Sequence, residues 1–216
     1  MVIQARAQLT RDTIVAGAAT VFGNRGYGLS SIADIAAEAG ATKGALYFHF
    51  SSKDELARAV IEEQHTRTMT AAAEIMQEGR PGLETMVLLS RRLALQILED
   101  PVVQAGIRLT TDVSSFEHPV SEPCRDWLET AEDLFARSVR EGDLAPTVDV
   151  GELAYVIVAA FTGVQLVSHT LTGRADLLER VRLLWRVLLP GIVVPERLEA
   201  LRALPDLVVD GEPAIG

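Results

Sequence analysis

Between residues 42 and 53 the chain gathers Thr42, Lys43, Gly44, Tyr47, His49 and Lys53, side chains suited to meeting phosphates and base edges without breaking any bond. Thr42 and Lys43 open a short helical pattern, where free backbone N–H groups and the helix dipole attract phosphate. Gly44 has no Cβ, so a nucleic-acid backbone can come close there. Lys43 and Tyr47 are four residues apart and share a helix face. Tyr47 offers a hydroxyl to phosphate and a ring to a thymine methyl, and Lys43 reaches a base edge or a phosphate. His49 and Lys53 follow where the chain turns into a longer helix. Ser31, at the start of the preceding short helix, is a further phosphate candidate.

Reactive chemistry is poorly provided for, and neither a catalytic residue, a bound metal nor a cofactor is expected. Cys124 is the single cysteine, which excludes an intrachain disulfide and a cysteine-built metal site. His65, His118 and His169 are scattered. Glu62, Glu63 and His65 share a helix but not a metal-binding spacing. Gly23, Gly26 and Gly28 lie between helices rather than after a strand, which does not fit the dinucleotide fingerprint. Gln64 and Thr162 are of another kind: each places a polar group on an otherwise apolar helix face. Such a group needs a hydrogen-bond partner, and a ligand carbonyl or hydroxyl could be one.

These residues are carried by helices almost throughout. Ile14, Ala18, Val21 and Phe22 recur at helical spacing after Thr10, read as an N-cap, and the run stops at residues 24–26. Ser31 with Asp34 reads as a capping box, and the helix it opens ends at Ala39-Gly40. Thr42 caps the next short helix. Ser52 with Glu55 reads as a second capping box, opening a helix from Lys53 to about Gln77. Ile32, Ile35 and Leu46 are expected to face Ile14, Ala18 and Phe22, with Phe50 closing that small core. Further helices are expected at about 83–99, 101–112, 124–141, 150–171 and 175–193, with a short one from 196 to 204. The breaks fall at 79–82, Asp100-Pro101, the 114–123 loop, 142–146 and 172–173. The fold class is all-α.

The net charge is −10 over 216 residues, yet residues 1–58 carry Arg6, Arg11, Arg25, Lys43, Lys53 and Arg58 against Asp12, Asp34, Glu38, Asp54 and Glu55. That segment is +1 and the remainder −11. An acidic body discourages unspecific adhesion to nucleic acid while a local patch retains it. No segment reads as long and uniform enough for a membrane span, and the amino terminus lacks a secretory pattern. A cytoplasmic protein without a membrane partner is expected.

The run Ser31-Ile-Ala-Asp-Ile-Ala-Ala-Glu-Ala-Gly-Ala-Thr-Lys-Gly-Ala-Leu-Tyr-Phe-His-Phe50, followed by Lys53 and Leu56, resembles the signature of TetR-family repressors, with Ala41 where valine is commoner. The resemblance is specific over about residues 8–60. It implies a three-helix helix-turn-helix DNA-binding domain at 1–52 and a helical effector-binding and dimerisation domain at 53–216. It further implies a homodimer whose recognition helices enter successive major grooves of a pseudo-palindromic operator on double-stranded DNA. The expected contacts are then Thr42, Lys43, Gly44, Tyr47, His49 and Lys53.

The dimer interface implied is built from the helices at about 150–171 and 175–193, each apolar over more than one face. The expected stripes are Leu153, Val156, Ile157, Ala160 and Val164, then Leu177, Leu178, Val181, Leu184, Trp185 and Leu188. The unbroken Thr42–Phe50 run together with Trp127 resembles more narrowly the γ-butyrolactone autoregulator receptors, in which a tryptophan at the matching place lines the pocket. Trp127 is therefore the first ligand candidate, its indole giving an apolar wall and one N–H donor, with Gln64 and Thr162 behind it. The partner implied is a small apolar signalling molecule, γ-butyrolactone-like. A butenolide, an antibiotic or no effector at all are the alternatives.

Overall fold

The protein is described by a computed structural model covering residues 2–111 and 120–210, with side chains from Arg6 onward. His118 and most of the expected 114–123 loop fall outside the described residues. Eleven α-helices and one 3₁₀ turn follow one another there: α1 Val2–Leu29, α2 Ile32–Glu38, α3 Lys43–His49, α4 Lys53–Gln77, α5 Gly82–Glu99, α6 Pro101–Thr111, α7 Glu122–Arg140, α8 Val150–Thr172, α9 Leu177–Ile192, α10 Pro195–Leu201, the 3₁₀ turn Leu204–Asp206, and α11 Leu207–Asp210. Among the described residues the only β-type pairing is an isolated bridge, Leu144 to Val193. Packing groups residues 1–70 and 99–121 into one compact unit and residues 71–98 and 122–216 into another. This grouping does not follow the motif boundary at residue 52: α4 contributes to both units, and α6 packs on α1 in the first.

In the first unit Ile14, Ala18, Phe22, Ile35, Leu46 and Phe50 are all buried in a single apolar cluster, with Ile32 packed against it. The expected contacts across α1, α2 and α3 are therefore made. Closest approach falls at Gly17, which the sequence did not single out: a Cβ there would lie 2.9 Å from Ala39 Cβ. α2 starts at the Ser31 capping box, where the Asp34 N–H donates to Ser31 Oγ at 3.2 Å and the Ser31 N–H donates to Asp34 at 3.1 Å. It ends in a paired-carbonyl cap. Gly40 takes φ +60°, its N–H donates to Ala37 O, and the Ala41 N–H donates to Ala36 O.

Two N-terminal expectations need correcting. α1 begins at Val2, so Thr10 lies inside the helix and its hydroxyl donates to Arg6 O at 3.0 Å instead of capping. At the start of α4 the Glu55 N–H does donate to Ser52 Oγ, but the Glu55 carboxylate accepts from Ser51, through its N–H at 2.7 Å and its hydroxyl at 2.6 Å. The box is shared between two serines because both offer donors within one turn.

In the second unit α7 packs on α8 and α8 on α9. Asp176 joins the α8–α9 hairpin: Ser168 Oγ, Thr172 Oγ1 and Arg180 Nε donate to it at 2.6, 2.7 and 2.7 Å. Those bonds, the Ser168 one foremost, hold its carboxyl far below the usual carboxylate range. Leu153, Ile157, Leu177, Val181 and Trp185 are buried within this one chain, whereas Ala160, Val164, Leu178, Leu184 and Leu188 are half-buried and Val156 is exposed, so the apolar stripes read from the sequence are only partly interior. The faces left in water carry Tyr155, Val156, Leu166, Val167 and Leu171 on α8, and Leu183 and Val187 on α9.

By length and composition α8 is apolar enough to cross a membrane, contrary to the expectation from its interruptions at Thr162, Gly163 and Gln165. Those interruptions are too few to lower the average, although Gln165 and Ser168 lie on its buried side. The C-terminal stretch extends further than expected as well, since α11 continues to Asp210 with Val208 fully buried.

Candidate nucleic-acid interface

The inner side of α3 is a single residue deep. Leu46 is fully buried while Thr42, Lys43, Gly44, Tyr47 and Phe48 are exposed. One buried leucine and the flanking Phe50 fix the helix's rotation, so every polar residue of the run is turned outward by the 3.6-residue period. Thr42 caps it, its Oγ1 accepting the Ala45 N–H at 3.1 Å. This leaves the N–H groups of Lys43 and Gly44 as the helix's free donors and Thr42's own O–H available to an acceptor. A glycine at 44 meets only Thr42 Oγ1 near the position of an added Cβ, so the surface there is open. Tyr47, one turn beyond Lys43, is 56% exposed. The helix and its cap thus expose a cation, a phenol, a hydroxyl and backbone N–H groups.

Ser31 occupies the N-terminus of α2, exposed, with its hydroxyl already donating to Asp34 Oδ2 at 2.6 Å. The serine's bonds, and then Arg25 at 3.0 Å, hold the Asp34 carboxyl below its usual range. His49 is half-buried at the end of α3, its ring edge-on to Phe48 at 5.1 Å between centroids. Phe48 itself is 80% exposed and was not among the expected contacts. The signal was present: with Leu46 and Phe50 inside, position 48 has to face out, and an aromatic residue placed in water by the helix period suggests a partner surface.

Lys53 is held by the chain itself. Its Nζ donates to Tyr27 O at 2.9 Å and to Ser30 O at 3.1 Å, and it stands 4.1 Å from the centroid of the Tyr27 ring. Lys43 makes no such bond, so the chain's two lysines, alike in sequence, are in different situations.

The effector candidates fall in both packing units. Trp127 is half-buried on α7, in step with the buried Ala131 and Phe135. Gln64 is buried in the first unit, where its Nε2 donates to Thr68 Oγ1 at 3.3 Å and its stem lies against Gly106, at which any Cβ would collide with it. Thr162 is exposed on the outer face of α8, its hydroxyl donating to Val158 O at 2.9 Å. Both polar groups thus have a partner on their own helix. Others in the second unit do not: among the described residues, Gln165 Oε1, Trp185 Nε1 and Arg91 Nε are buried atoms with no hydrogen-bond partner. A buried unpaired group of this kind costs about 1–3 kcal/mol.

Comparison with known proteins agrees with this geometry at both ends of the chain. Residues 14–60 match the bacterial regulatory proteins of the tetR family, and residues 80–195 match the tetracyclin repressor-like C-terminal domain. The A-factor receptor protein of Streptomyces griseus is 38% identical over 195 residues, spanning 90% of this chain and 68% of its own length. Among solved structures, a γ-butyrolactone receptor described as ArpA-like superposes with a TM-score of 0.81 at 32% identity, covering 94% of this chain and 98% of that one. The TetR family protein CprB from Streptomyces coelicolor, in complex with its operator sequence, gives 0.76 at 32% identity over 93% and 96%. With a buried three-helix core turning a polar helix face outward, and with both halves matched, the chain belongs to the TetR family of DNA-binding bacterial regulatory proteins.

Proposed function

We propose that the chain is a homodimeric transcriptional repressor that holds a pseudo-palindromic operator through its two α3 helices and lets go when a small γ-butyrolactone-like signal binds. The observation that carries the DNA half is the outward face of α3, where Thr42, Lys43, Gly44 and Tyr47 stand exposed around a single buried leucine. Their roles are phosphate binding at Thr42, Lys43 and the α2 N-terminus at Ser31, close backbone approach at Gly44, and base or phosphate contact at Tyr47 and His49. Such a protein works in the cytoplasm, at the nucleoid when bound.

The dimer reading is supported by the apolar residues that α8 and α9 leave in water. A second copy of the same faces covers them, as a two-fold pair of helices does. A bilayer is a poorer cover for α8, because Thr162, His169 and Thr170 stand on its exposed side and Asp176 is bonded at its end. Two recognition helices about 34–36 Å apart fit successive major grooves of one duplex face.

The effector reading is supported by the likeness, over most of this chain, to proteins named as A-factor and γ-butyrolactone receptors. It is supported too by the buried, unpaired Gln165 Oε1 and Trp185 Nε1, which a hydrogen-bonding occupant would satisfy. Trp127 is assigned as an apolar wall of that occupant's site. Gln64 and Thr162 are secondary candidates, since each would have to give up a bond within its own helix. α4 starts directly after α3 and runs on into the second unit, so a shift along it on ligand binding would respace the recognition helices. A coupling of about 1–3 kcal/mol suffices for release.

A gel shift on DNA flanking the coding region, repeated with synthetic γ-butyrolactones, tests both halves. Retardation that lactone relieves is the expected result. Retardation that only a butenolide or an antibiotic relieves would change the effector class, and retardation that nothing relieves would leave an effector-free regulator.

A further inference from the structure

α1 breaks at Gly26, whose φ of +75° and ψ of 167° are not helical. A helix end leaves carbonyl oxygens without internal partners, and here they are met by side chains. The buried Ser30 hydroxyl donates to Gly26 O at 2.5 Å. The Lys53 ammonium takes Tyr27 O and Ser30 O, at 2.9 and 3.1 Å, while lying 4.1 Å from the Tyr27 ring centroid. An ammonium has three donors; two point at carbonyls and the cation rests by a ring that rewards it where it stands.

The residues so joined hold strategic places. Lys53 is the first residue of α4, Tyr27 lies in the last turn of α1, and Ser30 immediately precedes Ser31, the N-cap of α2. One side chain therefore ties together the starts of α2 and α4 and the end of α1. α3 hangs between α2 and α4 on short connections, residues 39–42 and 50–52. Leu46 and Phe50 set the rotation of α3, and those same anchors hold the elements at its two ends.

We infer that Lys53 is a positioning residue, which sets how α3 is presented, and not a phosphate contact. The inference depends on DNA binding alone and is indifferent to the nature of the effector. It separates the chain's two lysines by role: Lys43 contributes charge to the interface, and Lys53 contributes geometry.

Salt dependence distinguishes the two roles, because each phosphate neutralised adds about 0.9 to the slope of log K against log salt. Lys43→Met should lower that slope by about 2 for a dimer. Lys53→Met should weaken operator binding by about tenfold or more with the slope unchanged. A slope that falls in Lys53→Met as it does in Lys43→Met would overturn the inference. Tyr27→Leu keeps both charges and removes the ring; it should weaken binding at unchanged slope, and a folded Tyr27→Leu protein with wild-type affinity would also overturn it.

A measurement on the unaltered protein avoids any question of folding. The sequence has only two lysines, so a nitrogen-15 spectrum of lysine ammonium groups contains two side-chain signals. The Lys53 signal should be visible in the free protein, slowed in proton exchange by its carbonyl partners, and should stay in place when operator is added. The Lys43 signal should sharpen only in the complex. A Lys53 signal that is absent from the free protein and emerges with DNA would refute the assignment.

Discussion

The outward face of α3 and the outward faces of α8 and α9 both hold large apolar side chains in water, and they differ in what stands between those side chains. On α3, Tyr47 and Phe48 alternate with Thr42, Lys43 and a glycine. On α8 and α9, Tyr155, Leu166, Val167, Leu171 and Val187 form broader apolar stretches, interrupted by Thr162, whose hydroxyl is turned back onto its own helix, by His169 and Thr170, and by Arg180 and Arg186, which pair with Asp176 and Asp206. A surface meeting a polyanion needs charge and free N–H groups with a few apolar contacts to bases. A surface meeting a copy of itself needs continuous apolar area and no uncompensated charge. Exposed hydrophobic residues at Tyr47 and Phe48 and between residues 155 and 187 thus suit different kinds of partner, and the polar neighbours decide which.

The largest effect should come from putting charge into the second of these faces. Leu171→Glu combined with Val187→Glu buries four like charges in a two-fold pair, and the dimer should dissociate at micromolar protein by sedimentation, with operator retardation lost alongside it. A double variant still dimeric at that concentration would refute the assignment of the face. Next, Tyr47→Ala should reduce operator affinity at least tenfold, an effect on the order of 1.4 kcal/mol or more, while sedimentation still shows a dimer. Loss of both properties together would mean the two faces are not independent. Third, Ser31→Ala removes the cap of α2 and should cost about 1 kcal/mol, lowering Tm by about 2–4 °C by calorimetry. No change in Tm would show that solvent replaces the cap.

The smallest expected effect is a pH dependence shared by both regions. Asp34 and Asp176 are both held below their usual ionisation range, by Ser31 and by Ser168 respectively as the foremost causes. A carboxyl lowered in the folded state adds stability that is fully present above its unfolded pKa and is lost as pH falls through the folded value. Stability should therefore be flat through neutrality and decline below about pH 4. Asp176→Asn should flatten part of that decline. An acid limb identical in variant and parent would mean the hairpin carboxylate is not linked to folding.

The first fifty residues were largely legible in the sequence because their structure is local. The Ser31 and Thr42 caps, the left-handed Gly40 and the inward Ile35, Leu46 and Phe50 each follow from spacings of three or four residues, and the structure has them all. The misreadings have equally physical causes. Thr10 has the chemistry of a cap but sits mid-helix, where a threonine hydroxyl is satisfied by the carbonyl four residues earlier. Lys53 reads as a surface cation until the break at Gly26 brings two carbonyls to it. Gly17 looks unremarkable until Ala39 is found against it. On α8 the periodicity identified an apolar stripe without telling interior from exterior, since both sides of that helix carry apolar residues.

Composition and local spacing alone determined that the chain is helical, where its short helices begin and end, and which residues of α3 face away from the core, because those properties depend on neighbours within a turn or two. Tertiary structure decided which of two lysines is free, which apolar face is left in water, and which buried polar atoms lack a partner. Each of those depends on contacts with residues far away in sequence, and no periodicity within one helix encodes them.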